Sequence, residues 1–202
     1  MERGKGPRSH SSAKADKKEE GVNMSAVPWQ KAEIPGPKKA LVFAKPEVVA
    51  TKVKMAKRPI LIVGHEIVNT SLGEEKVIDY IIQMAKTVEI PVVATAHIFG
   101  EFVKRGFQPA TWMSLMDIAN RLQDPEWKGL DGKGQYDLAL FVGIPYYMEW
   151  TILSSLKHFS PDLTTISLGR FYQPHATCSF SNLSLEYWIE CLKVIISELG
   201  EK

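Results

Sequence analysis

Asp137-Leu-Ala-Leu-Phe-Val-Gly143 decides the fold. Five apolar residues run without a polar break and stop at a glycine, as in a strand buried on both faces of a parallel sheet sheathed by helices. A second copy, Pro59-Ile-Leu-Ile-Val-Gly64, lies upstream. If the two lie side by side and point the same way, their glycine tips share one opening. Ligands of open α/β sheets bind outside the carboxyl ends of the strands, where the winding reverses. The fold expected is therefore α/β, a three-layer parallel sheet of nucleotide-binding topology, and any chemistry should sit just past Gly64 and Gly143.

Outward from these strands, the chain alternates helical and extended segments. Pro46–Arg58 reads as a first helix, with Pro46 suited to the first helical position and Val49, Val53 and Ala56 on one face. Ile60–Val63 is the first strand, and His65–Gly73 a polar loop. Glu74–Glu89 is a helix with Ile78, Ile81, Ile82 and Ala85 in its buried stripe, and Ile90–Thr95 the second strand, in a strand–helix–strand unit. Ile98–Lys104 is a short helix, Phe107–Ala110 a weak third strand and Trp112–Leu122 a helix. Gln123–Tyr136 is rich in turns. After Leu138–Val142 come a helix over Tyr146–His158, a strand over Leu163–Leu168, and a loop, Arg170–Asn182, holding a short edge strand at Thr177–Phe180. Ser184 is the N-cap of a closing helix that runs to Leu199 and stops at Gly200.

The charge is uneven. Residues 1–58 hold 14 Lys and Arg against 6 Asp and Glu, and the remainder 11 against 17. Met1–Gly21 has almost nothing to bury and is expected to be disordered. Met24 is a candidate internal start. Val22–Lys39 carries Pro28, Pro35 and Pro37 and is expected to be extended, with Trp29 and Ile34 as anchors on the domain or a partner. The organisation expected is a disordered basic leader and extended arm over 1–44 and one α/β domain over 45–202. A nucleic-acid footprint needs basic charge interleaved with aromatics on a folded face, whereas Trp29 is the only Trp or Tyr before Tyr80. A solvated basic tail is the better reading, with no nucleic-acid partner. No apolar run reaches the ~20 residues of a membrane span, and no signal-peptide core opens the chain, so a cytoplasmic protein without a membrane partner is expected.

Several residues invite a chemical reading. Gly64, Gly143 and Gly169 each end a strand, where glycine lets backbone approach a phosphate or ring closely, or simply makes the turn. The Gly-x-Gly-x-x-Gly fingerprint is missing, and Thr95 and His97 stand where a ribose-binding acid is usual. His65, His97 and His175 each follow a strand and could share one sheet edge as a zinc site; polar loop residues are the default, and no metal site is assigned. Tyr146, Tyr147 and Trp150 could stack on a flavin or adenine ring, cover an interface, or pack a helix on the sheet. A nucleotide site would be lined by Gly64, His65, Thr95, Gly143, Tyr146, Gly169 and Arg170, with Arg170 taking phosphate charge. No nucleophile–base pair, Ser elbow or Walker loop is present, so no catalytic residue is assigned. Asp124, Glu126, Asp131 and Asp137 fall among glycines and read as a solvated turn. Cys178 and Cys191 cannot hold an iron–sulfur cluster alone, since that takes about four thiolates.

The run Asp124-Pro-Glu-Trp-Lys-Gly-Leu-Asp-Gly-Lys-Gly-Gln-Tyr136, with Arg58–Gly64, Ile90–Thr95 and Ala176-Thr-Cys-Ser-Phe-Ser-Asn-Leu183, resembles the epsilon subunits of archaeal acetyl-CoA decarbonylase/synthase complexes. The resemblance covers about Pro46 to Leu199. It implies a Rossmann-like fold similar to the middle domain of thiamine-diphosphate enzymes, and a role in anaerobic one-carbon metabolism and methanogenesis. It further implies a chain non-catalytic by itself, partnering a large alpha subunit in an alpha-two epsilon-two assembly with carbon monoxide dehydrogenase activity. The nickel–iron–sulfur and iron–sulfur clusters would then sit on the partner. The role implied is to stabilise the alpha subunit or to assist electron transfer to FAD. The alternative is a stand-alone flavin- or nicotinamide-nucleotide-binding electron-transfer module; self-association is a further expectation. A free-standing thiamine-diphosphate enzyme is disfavoured, because flanking domains hold that cofactor and this chain is too short to contain them.

Overall fold

The computed structural model describes residues 38–95 and 97–201. The expected disordered leader, and the arm up to residue 37, lie outside the described residues. In chain order, β1 (Leu41–Val42) and α1 (Glu47–Met55) lead into β2 (Pro59–Val63). Then come α2 (Glu66–Asn69), β3 (Ser71–Leu72), β4 (Glu75–Lys76), α3 (Val77–Thr87) and β5 (Val92–Thr95). Next are α4 (Phe99–Lys104), β6 (Thr111–Met113), α5 (Leu115–Gln123), β7 (Leu138–Val142) and α6 (Tyr146–Phe159). The chain closes with β8 (Thr164–Ser167), β9 (Cys178–Ser179) and α7 (Leu185–Gly200).

Seven strands form one parallel sheet in the order β1-β9-β8-β7-β2-β5-β6. The two apolar runs are neighbours at its centre, in register from Pro59 opposite Leu138 to Val63 opposite Val142. From β2 the chain winds outward through β5 and β6, then returns to β7 and winds the other way through β8 and β9. The reversal therefore falls between β2 and β7, where the sequence put it.

Successive strand residues face opposite sides, and the sheet divides its core accordingly. Leu61, Val63, Leu140 and Val142 point to a layer holding α1, α3 and α7. Ile60, Ile62, Ala139 and Phe141 point to the layer holding α5 and α6. A strand with both faces covered has no use for a polar residue, which is why these runs are continuous rather than alternating.

Local differences from the sequence reading have local causes. The helix expected from Glu74 begins at Val77, because Ser71–Leu72 and Glu75–Lys76 close an antiparallel ribbon around Gly73 (φ 61°). It ends earlier too, because Glu89 adopts φ 50° and the Ile90 N–H folds back to the Ala85 carbonyl. The strand expected at Phe107–Ala110 lies at Thr111–Met113, and the helix after it starts at Leu115. Ser114 caps that helix: its Oγ accepts from the Asp117 N–H at 3.1 Å and donates to the Asp117 carboxylate at 2.7 Å. The edge strand expected within Thr177–Phe180 is an inner strand, β9, because Leu41–Val42 adds a further strand outside it.

Candidate functional site

At the reversal point the two strand-end glycines spend their freedom on each other. The Gly64 N–H donates to the Val142 carbonyl at 2.8 Å, and the Glu66 N–H to the Gly143 carbonyl at 2.9 Å. A Cβ on Gly64 would stand 2.2 Å from the Gly143 oxygen. Gly143 has φ 68°, and a Cβ there would meet Ile67 Cγ2 at 2.3 Å. Glycine is required at both positions, but for a close approach of two backbones rather than of backbone to a phosphate.

The opening lies above the carboxyl ends of β7 and β8, bordered on the β2 side by Glu66, Ile67 and Thr70. It is a cleft of about 150 Å³ whose lining includes Gly143, Tyr146, Gly169 and Arg170 from the expected set. Gly64, His65 and Thr95 do not line it. His65 is exposed, and Thr95 ends β5 on the far side of β2. The histidines do not converge: His65 and His97 are exposed, while His175 is buried beside the Trp150 ring, 4.6 Å between centroids. Among the described residues, no group of three or more His, Cys, Asp or Glu could hold a metal ion.

Three lining or adjacent residues have no counterpart in the sequence reading. Glu149, in the first turn of α6, is 3% exposed, and its Oε1 has no hydrogen-bond partner. Burial pushes its carboxyl up to about 7; Ser167 offsets part of that shift and the Glu66 charge adds to it. Gln173 is 2% exposed. Its Nε2 donates to the Tyr146 carbonyl at 3.1 Å, which fixes the amide's orientation and leaves Oε1 unpartnered toward the cleft. Ser167, wholly buried at the end of β8, stands behind the cleft, and its hydroxyl on the Glu149 carboxylate is what offsets part of that carboxyl's shift. Arg170 lies over the Phe171 ring, 4.2 Å from its centroid, at the mouth. A buried Trp188 closes one wall, its Nε1 donating to the Leu168 carbonyl at 2.7 Å.

The cysteines are inert. Cys178 and Cys191 are buried free thiols, and burial pushes the Cys191 thiol up to about 11, so it stays protonated near neutral pH and offers no thiolate to a metal.

The Trp-Lys-Gly-Leu-Asp-Gly run sits at the opposite edge of the sheet. Asp137 accepts from the Lys57 and Arg58 amides, both at 2.8 Å, and its own N–H donates to the Arg58 carbonyl. Arg58 pairs with Asp131 at 2.6 Å and lies over the Tyr136 ring, 5.1 Å from its centroid. The Tyr136 ring packs against Trp127. The solvated turn of the sequence reading is thus a tied loop that fastens the amino ends of β2 and β7.

The family model described as "CO dehydrogenase beta subunit/acetyl-CoA synthase epsilon subunit" matches residues 22–196. The chain belongs to this family. The match begins within the arm, well ahead of Pro46. A subunit epsilon of the acetyl-CoA decarbonylase/synthase complex from Methanothermobacter thermautotrophicus is 32% identical over 177 residues, 88% of this chain and 98% of that relative. The corresponding subunit of Methanothrix soehngenii is 38% identical over 81% of this chain and 84% of its own length. Subunit epsilon 1 of Archaeoglobus fulgidus is 41% identical over 77% and 83%. For this member of the CO dehydrogenase/acetyl-CoA synthase epsilon family, the tied Trp127–Asp137 loop and the acceptor-lined cleft lie on opposite edges of one sheet.

Proposed function

We propose that this chain is an accessory, non-catalytic subunit of an acetyl-CoA decarbonylase/synthase complex. It associates with the metal-bearing alpha subunit in an alpha-two epsilon-two assembly and stabilises it. The observation that carries this reading is the similarity, over most of the chain, to relatives named as subunit epsilon of that complex. The surface agrees with such a role. Trp112, 60% exposed, and Met116 stand on the edge strand β6 and the first turn of α5, and Tyr147 stands on the first turn of α6. Large exposed apolar side chains of this kind favour protein contacts. Purifying the affinity-tagged full chain anaerobically from an archaeal host tests the reading. Recovery of a stoichiometric large subunit carrying nickel and iron is expected, and a lone chain free of metal would overturn it.

A flavin at the cleft is the second reading, and Arg170 beside the Tyr146 and Phe171 rings is what favours it. The cleft's volume of about 150 Å³, with Glu66 and Glu149 in the same lining, works against a whole flavin nucleotide. Titration of the chain with FAD, followed by flavin fluorescence, decides it: saturable quenching supports the site, and unchanged emission removes it.

A further inference from the structure

The interior of the cleft carries an imbalance between acceptors and donors. Glu149 Oε1 and Gln173 Oε1 are buried, without a partner, and belong to residues that line the cleft. From the position of a Cβ on Gly169, which lines the same cleft, the Ser167 Oγ lies 3.6 Å away and Glu149 Oε2 4.0 Å. Each unpaired buried polar group costs about 1–3 kcal/mol. Two in one cavity therefore make a destabilised pocket unless something enters that supplies hydrogens. Both the Gln173 amide oxygen and ionised Glu149 can only accept. A phosphate or carboxylate would leave the two unmet, and a hydrocarbon would desolvate them further.

We propose that this cleft binds a compact N–H-donating cation, a primary ammonium or guanidinium group, held by Glu149 and Gln173. The volume of about 150 Å³ accepts such a group but not a drug-sized ligand, whose pockets run from about 300 Å³. The Tyr146 and Phe171 rings and Trp188 supply aromatic walls, which favour cations. Glu66 at the same opening adds negative charge. Among the described residues Arg170 is the only basic one in the lining, and it lies over Phe171. The site is complete within one chain, so the occupant is either a free amine or guanidine metabolite or the end of a Lys or Arg side chain of an associated subunit.

The test is carbon NMR of the full chain labelled at glutamate carboxyls, with the Glu149 signal assigned by its loss in Glu149→Gln. Methylguanidinium and methylammonium are the probes. Tetramethylammonium, which has charge but no donor hydrogen, and Mg²⁺ are the controls. A donor cation that prefers ionised Glu149 tenfold must lower its titration midpoint by about one unit, by reciprocity. Saturable shifts with the two donor cations alone are expected. Gly169→Ala, whose Cβ meets no atom closer than 3.6 Å, should weaken them about tenfold while leaving the melting temperature unchanged. An unmoved Glu149 signal, an equal response to tetramethylammonium, or an equal response to Mg²⁺ each overturns the proposal, the first by leaving the cleft to ordered water. Two further arms separate the sources. Extra mass on the chain released gently from cells, read by native mass spectrometry, identifies a metabolite. A Glu149 shift that appears only when the associated subunit is added identifies a side chain. A Glu149 signal indifferent to both settings counts against either source and overturns the proposal.

Discussion

Glu149 spends free energy to stay where it is. Its carboxyl titrates near 7 in the folded chain, against 4.5 for the unperturbed group, chiefly because burial disfavours the charge. The folded state therefore holds a proton between those values that the unfolded chain has released, and stability falls as pH rises through that window. The full penalty, about 3 kcal/mol at 1.36 kcal/mol per unit, applies above pH 7 and is absent below 4.5. Glu149→Gln should remove this descending limb and gain up to about 3 kcal/mol at pH 8, read as the difference between urea denaturation curves across the range. Gly64→Ala should cost about 3 kcal/mol or more, because its Cβ would meet backbone atoms that cannot step aside. At this scale the sequence was half legible. Gly143, Tyr146, Gly169 and Arg170 could be placed at the cleft because each closely follows an apolar run. Gln173 and Glu149 could not, since a glutamate in a first helical turn ordinarily faces water. Only the packing of α6 over the strand ends buries this one.

Elements in this chain are decided at their ends. Glu89 occupies the left-handed position after α3 that glycine normally takes. Glu89→Gly should raise stability by about 1 kcal/mol, measurable as a shift in the denaturation midpoint. Asp137 accepts from two consecutive amides at the start of β2 and so ties two strands that lie far apart in sequence. Asp137→Ala should cost about 2 kcal/mol or more, with Asp137→Asn losing less because one carbonyl oxygen remains to accept. Hydrophobic periodicity located every major helix and the central strands, since the stripe and the continuous run are properties of the residues themselves. The boundaries went astray where a side chain or a positive φ intervened. Ser114 with Asp117 three residues on is a cap that the sequence carries in plain view. Glu89 carries no mark of its conformation in its identity. The two-residue strand Leu41–Val42 is too short for any period to show, and exists because β9 offers it an edge.

In the whole molecule, one sheet separates two functions of the sequence. The residues that carry the family resemblance most specifically, Trp127 to Asp137, serve the amino edge, where they fasten β2 to β7. Two buried polar atoms left unsatisfied, Glu149 Oε1 and Gln173 Oε1, lie at the carboxyl edge. Among the described residues no helix is long and apolar enough to cross a membrane. The central strand pair was legible because two continuous apolar runs ending in glycine admit few arrangements other than a shared centre. The cleft's chemistry was not, since the composition of a cavity depends on which loops the winding brings together. On the proposed reading this chain acts on the lifetime of its complex rather than on the reaction. The direct test is the carbon monoxide oxidation activity of the metal-bearing subunit, followed anaerobically over hours at elevated temperature with and without this chain. The account predicts no activity from the chain alone, an unchanged initial rate, and a markedly longer half-life when the chain is present. Activity in the isolated chain, or identical decay with and without it, would contradict the account.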